Sequence, residues 1–433
     1  MNNSKNTYRL LWRWHFYAGL FCIPFILILS ITGAIYLFTP EIESFRESDY
    51  VVSPLSETMQ RTSPAQQISV AMAMVKDAKF QSYRLPENNL DAIRISLLKE
   101  NQRLLVYVDP YTLSVMDVVA WDDRFIEWIS TLHGSLLMGK KGSYIVELAA
   151  CWSIFLVLSG MYLWWPKDSK GMAGVIYPRL QQGGRQFWRD LHAVIGMWIS
   201  ILVLFLLISG LPWTQVWGSS FKEVRKTVTH MTSSGWTINK QQELQNWKLQ
   251  SKGYVPLSKT AYESALTLNF SPPAELSVSN EKLQQWKLTS QSQNRMLRQN
   301  AWLDNKTGEV IKRNNFSDKA LVDQIIGVGI SAHEGQLFGW ANQLLGVIAA
   351  LGLITLSVSG FILWRKRKPV NRLGAPNRLK DQKLAKSKGV IILMVVLAAL
   401  LPMLLISLVI ILLLENFVFP RFPKIQTFLG LNR

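Results

Sequence analysis

The chain has 433 residues, 49% of them hydrophobic and 17 of them tryptophan, so a single soluble core is a poor fit. Its formal net charge of +18 would suggest nucleic acid in a soluble protein. Here the lysines and arginines gather in short segments beside apolar runs, which removes nucleic acid as a partner and makes the charge a matter of membrane topology. Cys22 and Cys151 both fall inside apolar runs. With no CxxC, CxxCH or disulfide framework around them, they read as small buried hydrophobes.

Taken in chain order, the sequence predicts five membrane spans, at about Phe16–Phe38, Tyr144–Trp165, Ala193–Leu211, Ala341–Trp364 and Gly389–Leu414. The first is too long for a cleaved signal and lacks a small-x-small site, so it reads as a retained span. Residues 1–38 are the cytoplasmic N-terminus and first span, and 39–132 an outward module. Residues 133–165 are a histidine segment and second span, followed by a basic loop at 166–191 and the third span at 192–211. A second outward module occupies 212–332, and a histidine segment with the fourth span 333–364. The basic loop 365–388, the fifth span 389–414 and a tail at 415–433 complete the chain. Lys5, Arg9, Arg13, Lys167, Lys170, Arg179, Arg185, Arg189 and the run Arg365–Lys368 through Lys388 share one side, which the positive-inside rule makes cytoplasmic. Five spans then place Met1 inside and the tail outside.

Each outward segment reads as a small α+β module. In the first, a helix over Ser63–Phe80 precedes strand-like runs at Ala92–Leu98, Arg103–Val108 and Leu113–Val119, with a turn at Asp109. In the second, a helix over Leu257–Leu268 precedes runs at Gln284–Thr289, Met296–Leu303 and Glu309–Arg313, with a turn at Asp304.

The histidines carry the chemistry. His15 and His192 each open a span and are followed by glycine at i+4 (Gly19, Gly196) and at i+18 (Gly33, Gly210). His133 and His333 precede the next spans, with Gly139 and Gly339 at i+6. Ser159-Gly160 and Ser359-Gly360 extend that match, as do Trp164 and Trp364. This register indicates an internal duplication, and ionisable groups kept beside spans default to a functional reading. One histidine from each repeat falls at each membrane level, His15 with His192 inside and His133 with His333 outside. Paired neutral imidazoles suit axial ligation of haem iron, which makes two haem b groups the expected cofactors. Gly19 and Gly196, one turn along, would leave room for a porphyrin. The two levels stand roughly 27 Å apart at 1.5 Å per residue. Zinc competes less well, since it normally takes more than two protein ligands; Glu334 beside His333 would add one, but Gly134 holds that place in the first repeat. His230 has no counterpart and reads as an ordinary module residue. Gly327-Val328-Gly329 leads into a span, without the βαβ context that dinucleotide binding needs.

Trp14-His15-Phe16-Tyr17-Ala18-Gly19, Leu132-His133-Gly134, Leu158-Ser159-Gly160-Met161-Tyr162-Leu163-Trp164-Trp165-Pro166 and Val358-Ser359-Gly360-Phe361-Ile362-Leu363-Trp364 together resemble the PepSY-associated transmembrane-helix family of bacterial inner-membrane proteins. The turns at Asp109 and Asp304 resemble the end of a PepSY module, although the first has Thr112-Leu113 where Thr-Gly is usual. The resemblance covers about residues 8–368 and leaves out the fifth span. It implies an inner-membrane reductase of ferric siderophores that faces the periplasm and draws electrons from a separate cytoplasmic or membrane donor, with membrane lipid as its surroundings. No flavin or nicotinamide motif supplies electrons within the chain. The other reading is a non-enzymatic membrane protein whose modules bind a peptide or partner, or assist iron transport. In the reductase reading the substrate docks outside, where Trp121, Trp128, Trp213, Trp217 and Trp340 either line a cleft or anchor the membrane interface.

Overall fold

The computed structural model describes residues 2–54, 56, 59–165, 171–229, 254–280, 282, 284–376 and 388–431. His230 and the basic residues Lys167, Lys170, Arg378, Lys380, Lys383 and Lys386 lie outside them. In chain order the elements are α1 (Asn2–Tyr36), α2 (Thr39–Glu47), α3 (Pro64–Met74), β1 (Lys79–Arg84), β2 (Ile93–Lys99), β3 (Gln102–Val108), β4 (Val115–Ala120), α4 (Phe125–Ser135), α5 (Gly139–Trp164), α6 (Gly184–Gly210) and α7 (Val216–Thr229). They continue with α8 (Lys259–Thr267), β5 (Ala274–Asn280), β6 (Gln285–Ser290), β7 (Asn300–Asp304), β8 (Val310–Asn314), α9 (Leu321–His333), α10 (Trp340–Arg367), α11 (Lys388–Leu400), α12 (Pro402–Leu413) and α13 (Pro423–Leu429).

These elements form two compact units. One is helical and contains Met1–Ala34, Thr131–Thr232 and Leu344–Arg433. Among the described residues, five helices are long and apolar enough to cross a membrane: Thr7–Tyr36, Gly139–Trp164, Gly184–Trp213, Trp340–Arg367 and Pro402–Arg421. Without water to satisfy them, backbone polar groups in such segments pair within the helix. Gly352 lets α10 approach α6 closely, because a Cβ there would stand 2.7 Å from Ile199 Cδ1. Glu147, fully buried on α5, accepts the amides of Val216 and Trp217 at 2.8 Å each and so caps the free N–H groups opening α7.

The fifth apolar run departs from expectation. It is two helices, α11 and α12, because Pro402 has no N–H to continue α11 and occupies the first turn of α12 instead. The Leu400 carbonyl is taken up by Trp217 Nε1 at 3.0 Å. Trp152 Nε1 reaches Ser407 at 3.2 Å, so α12 runs back alongside α5. The tail then packs at the starting end of α1. Arg13 donates to the carbonyls of Pro376 and Gly430 at 2.9 and 2.8 Å, and Tyr17 donates to the Leu429 carbonyl at 2.5 Å. The tail thus lies against the part of α1 that carries Arg13 and Tyr17, an arrangement the expectation of ends on opposite sides did not include.

The other unit contains Ile35–Ser130 and Ser233–Gln343. Its centre is one antiparallel sheet of eight strands, ordered β4-β3-β2-β1-β5-β6-β7-β8. Ile68 and Ala71 of α3 and Ala261 and Ala265 of α8 belong to the same core as Tyr83, Ile95, Leu276, Trp286 and Leu288 from the strands. The predicted helix Ser63–Phe80 ends at Met74. Ser63 and Gln66 form a reciprocal capping box at its start, and β1 begins at Lys79. β1 and β5 were not anticipated, and they join the two modules through Tyr83↔Leu276 and Arg84↔Glu275. The remaining strands and α8 fall within a few residues of expectation; β7 starts later because Arg295–Leu297 forms a 3-10 turn. Both turn aspartates work the same way. Asp109 Oδ1 accepts the amides of Tyr111 and Thr112, and Asp304 Oδ1 those of Lys306 and Thr307.

Candidate functional site: histidines held by hydroxyl-glycine pairs

In the helical unit α1 brings His15, and α6 brings His192, to one place. Their ring centroids are 6.5 Å apart and their planes lie at 87°. Each ring is fixed from behind by the opposing long helix. His15 Nδ1 lies 2.9 Å from Ser159 Oγ on α5, and His192 Nδ1 lies 3.0 Å from Ser359 Oγ on α10. The serine protons are committed elsewhere. Ser159 donates to the Leu156 carbonyl, and Ser359 to those of Thr355 and Leu356. With the hydroxyl protons turned to these carbonyls, both oxygens are left to accept, and Nδ1 of each ring donates in that arrangement. His192 Nδ1 also reaches the Leu356 carbonyl at 3.1 Å, an atom that can only accept. Nε2 of both rings is then the bare lone pair, the nitrogen a metal takes.

The glycine after each serine completes the seat. A Cβ at Gly160 would stand 3.2 Å from His15 Cε1, and one at Gly360 3.4 Å from His192 Cε1. A side chain at Gly160 would press the His15 ring, and one at Gly360 would just touch the His192 ring. Gly19 and Gly196 face the same two helices one turn lower. Built-on Cβ atoms there would lie 3.9 Å from Leu156 and 3.4 Å from Leu356, respectively.

His133, on α4, repeats the arrangement. Its Nδ1 lies 2.9 Å from Thr32 Oγ1 on α1, and that hydroxyl donates to the Ile28 carbonyl at 2.7 Å. Gly33 lies against its Cε1, at 3.1 Å from a built-on Cβ. Burial lowers the His133 pKa to about 4, so it stands neutral at ordinary pH. His15 and Thr32 are seventeen positions apart on α1, or about 25 Å along its axis.

His333 ends α9 in the sheet-bearing unit. Gly335, at φ +75°, closes that helix, and the Gln336 amide bonds back to the Ser331 carbonyl at 2.8 Å. Glu334, half-buried, follows it, with Arg295 Nη2 at 3.7 Å from its carboxylate, and desolvation raises its pKa. Among the described residues no group of three or more His, Cys, Asp or Glu side chains is placed to hold a lone metal ion. The tryptophans divide. Trp121 lies between the guanidiniums of Arg103 and Arg124, each 3.6 Å from its ring centroid. Trp217 stacks on Phe221 at 5.0 Å, whereas Trp128 and Trp340 are exposed.

Sequence reasoning found the four histidines and marked Ser159-Gly160 and Ser359-Gly360 as repeated, but gave the hydroxyls no role. It overlooked Thr32 altogether. The signal was a hydroxyl followed by glycine four times within apolar helices, at Thr32, Ser159, Ser209 and Ser359.

Membrane-crossing helices with paired imidazoles between them, joined to an antiparallel α+β sheet unit, define a multi-pass membrane protein with PepSY-like modules. The family model for the PepSY-associated TM region matches residues 12–367, and the chain belongs to that family. Among curated proteins, none matches the chain.

Proposed function

We propose that the protein is a di-haem b reductase of a bacterial inner membrane, which passes electrons outward to reduce iron(III) held in a siderophore. The observation that carries this reading is the His15–His192 pair, with both Nδ1 atoms donating to hydroxyls and both Nε2 lone pairs left for a metal. The rings, with centroids 6.5 Å apart, stand close enough that His15 and His192 would hold one metal ion between them. Two imidazoles alone are a poor set for zinc and a complete axial set for a porphyrin iron. Bound haem would supply a one-electron carrier at each level.

The residues of the chain perform the rest. Ser159 and Ser359 hold the tautomer and ring angle of the inner pair, and Thr32 does so for His133. His133 and His333 are proposed as the outer pair, one from each half of an internally duplicated chain. The sheet-bearing unit faces the periplasm, and the basic segments, with Arg13 and the tail, face the cytoplasm. Chelated iron(III) accepts one electron and becomes iron(II), which binds hard oxygen ligands less tightly and is released. The electron comes from a separate donor in the cytoplasm or membrane.

The absorption spectrum of the purified protein tests the reading. A Soret band that shifts with dithionite, together with two haems per chain, is expected. Reduced protein in anaerobic vesicles should be reoxidised by a ferric siderophore added on the periplasmic side, with iron(II) captured by a chromogenic chelator. Colourless protein, or reoxidation that survives His133→Ala/His333→Ala, would reject the mechanism.

A further inference from the structure

The sheet carries two cross-strand triplets on the face opposite its apolar core. In one half Arg94, Tyr107 and Asp117 stand side by side on β2, β3 and β4. In the other, Lys287, Trp302 and Lys312 stand side by side on β6, β7 and β8. The register is the same, since Tyr107 and Trp302 each precede their turn aspartate, Asp109 or Asp304, by two residues.

In the first half the chain fills this platform itself. The Tyr50 ring stacks on Tyr107, with centroids 3.9 Å apart and 16° between the planes, and its hydroxyl donates to Asp117 at 2.6 Å. Glu47 pairs with Arg94 at 2.9 Å. The occupant is an aromatic ring with an anionic group beside it.

In the second half the platform is broader and more basic. Lys287 and Lys312 hold their ammonium groups 5.2 and 5.4 Å from the Trp302 ring centroid. Among the described residues neither lysine pairs with a carboxylate, and no ring stacks on Trp302. Burial lowers the pKa of Lys287, the mark of an ammonium that has lost water without gaining a counter-charge. An anion placed there would recover that loss, and a ring on Trp302 would add stacking.

We propose that Lys287, Trp302 and Lys312 bind the substrate through an anionic aryl group, its ring on Trp302 and its ring oxygens toward the two ammoniums. The ferric chelate reduced by this protein is then of the aryl-oxygen, catecholate class, negatively charged and aromatic, in contrast to an uncharged hydroxamate complex. This rests on the ferric-chelate reading above and narrows it.

Gallium(III) complexes provide a redox-silent test, with calorimetric titration of the full-length, haem-loaded protein in detergent. The gallium tris-catecholate should bind, and the neutral gallium tris-hydroxamate should bind about tenfold more weakly or worse. Trp302→Ala and the double variant Lys287→Gln/Lys312→Gln should each lose about tenfold in affinity or more, whereas Lys306→Gln in the nearby turn should not. Each variant is first checked for an unchanged unfolding midpoint and Soret band. Equal affinity for the two complexes, or unaltered binding by the double variant, would overturn the proposal. Haem-loaded protein blind to the catecholate would sink this site alone. Protein that takes up no haem yet still binds the catecholate through these residues would sink the reductase reading and spare the site.

Discussion

A histidine between membrane helices can be protonated on either nitrogen, and only one tautomer presents Nε2 to a metal. Three of the four histidines in repeated register have beside Nδ1 a hydroxyl that also reaches a helix carbonyl, and with its proton on that carbonyl the choice is made. Partners of this kind typically change metal affinity by about 10–100-fold when removed. Ser159→Ala should therefore weaken inner haem binding on that scale, and Ser359→Ala likewise, while Ser159→Thr keeps the acceptor and most of the affinity. Haem titration of the apoprotein, followed in the Soret band, measures this, and the outer haem should be unaffected by either change. Gly160→Ala should act on the same haem, because its Cβ would crowd His15 Cε1. Loss of outer haem in Ser159→Ala would contradict the assignment. The histidines were legible because a charge-capable residue in register beside two apolar runs has few other uses. The hydroxyls were not, because serine and threonine within helices routinely bond to the preceding turn. Thr32 and Ser159 do bond that way here while also holding a ring.

At the scale of elements, the spans and most strands could be read from apolar length and alternation, and the exceptions have local causes. β1 carries a bulge between Phe80 and Ser82 that interrupts its alternation, which made it look like the end of α3. β5 does alternate, with Ala274, Leu276 and Val278 buried, and that pattern was passed over. Their pairing is short, and polar groups reinforce it. Glu275 on β5 accepts from Ser82 on β1 at 2.9 Å and lies 3.3 Å from Arg94 and 4.0 Å from Arg103. Burial pushes its carboxyl pKa up, but Arg103, Arg94 and Ser82 pull it down further, to a net value below the ordinary 4.5. With the folded value depressed, Glu275 contributes stability that is complete above about pH 4.5 and is lost as pH falls through the folded value. Glu275→Gln removes the nearby charge from Arg103 and leaves Arg94 to Glu47, and it should destabilise the sheet-bearing unit by about 1.5–3 kcal/mol. It should also flatten the acid limb of stability against pH. Thermal unfolding of both proteins across pH 3–7 tests the two effects together, and an acid limb of unchanged steepness in the variant would show that another carboxylate is responsible.

For the whole molecule, the number of passes decides which face each end occupies, and here a single proline decides the number. The run from Gly389 to Leu414 is long enough for one span, and hydropathy alone counts it once. Pro402 divides it, and the second half returns beside α5 to bring Leu429 and Gly430 against Tyr17 and Arg13. The first half is about 20 Å long at 1.5 Å per residue, short for a hydrocarbon core of about 30 Å, whereas the helical stretch from Pro402 to Arg421 reaches about 30 Å. The turn between them therefore lies in the outer part of the membrane, at the level where Trp217 meets the Leu400 carbonyl. Both ends of the chain, and the loop after α10, are expected on the cytoplasmic side. Cys22 and Cys151 are buried, so replacing them gives a background for single-cysteine labelling with a membrane-impermeant maleimide. Lys424→Cys in the tail and Val370→Cys in the loop should label only in inverted vesicles, and Lys306→Cys in the Asp304 turn only in intact spheroplasts. Labelling of Lys424→Cys in spheroplasts would restore a five-pass chain with its tail outside. It would also mean that the Arg13–Gly430 bonds do not form in the membrane. The expected pattern has a structural consequence. Arg13 and Tyr17 flank His15 on α1, so the tail would brace the inner end of the helix that carries the inner ligand. Truncation after Val418 should then lower the unfolding midpoint and loosen the inner haem before the outer one.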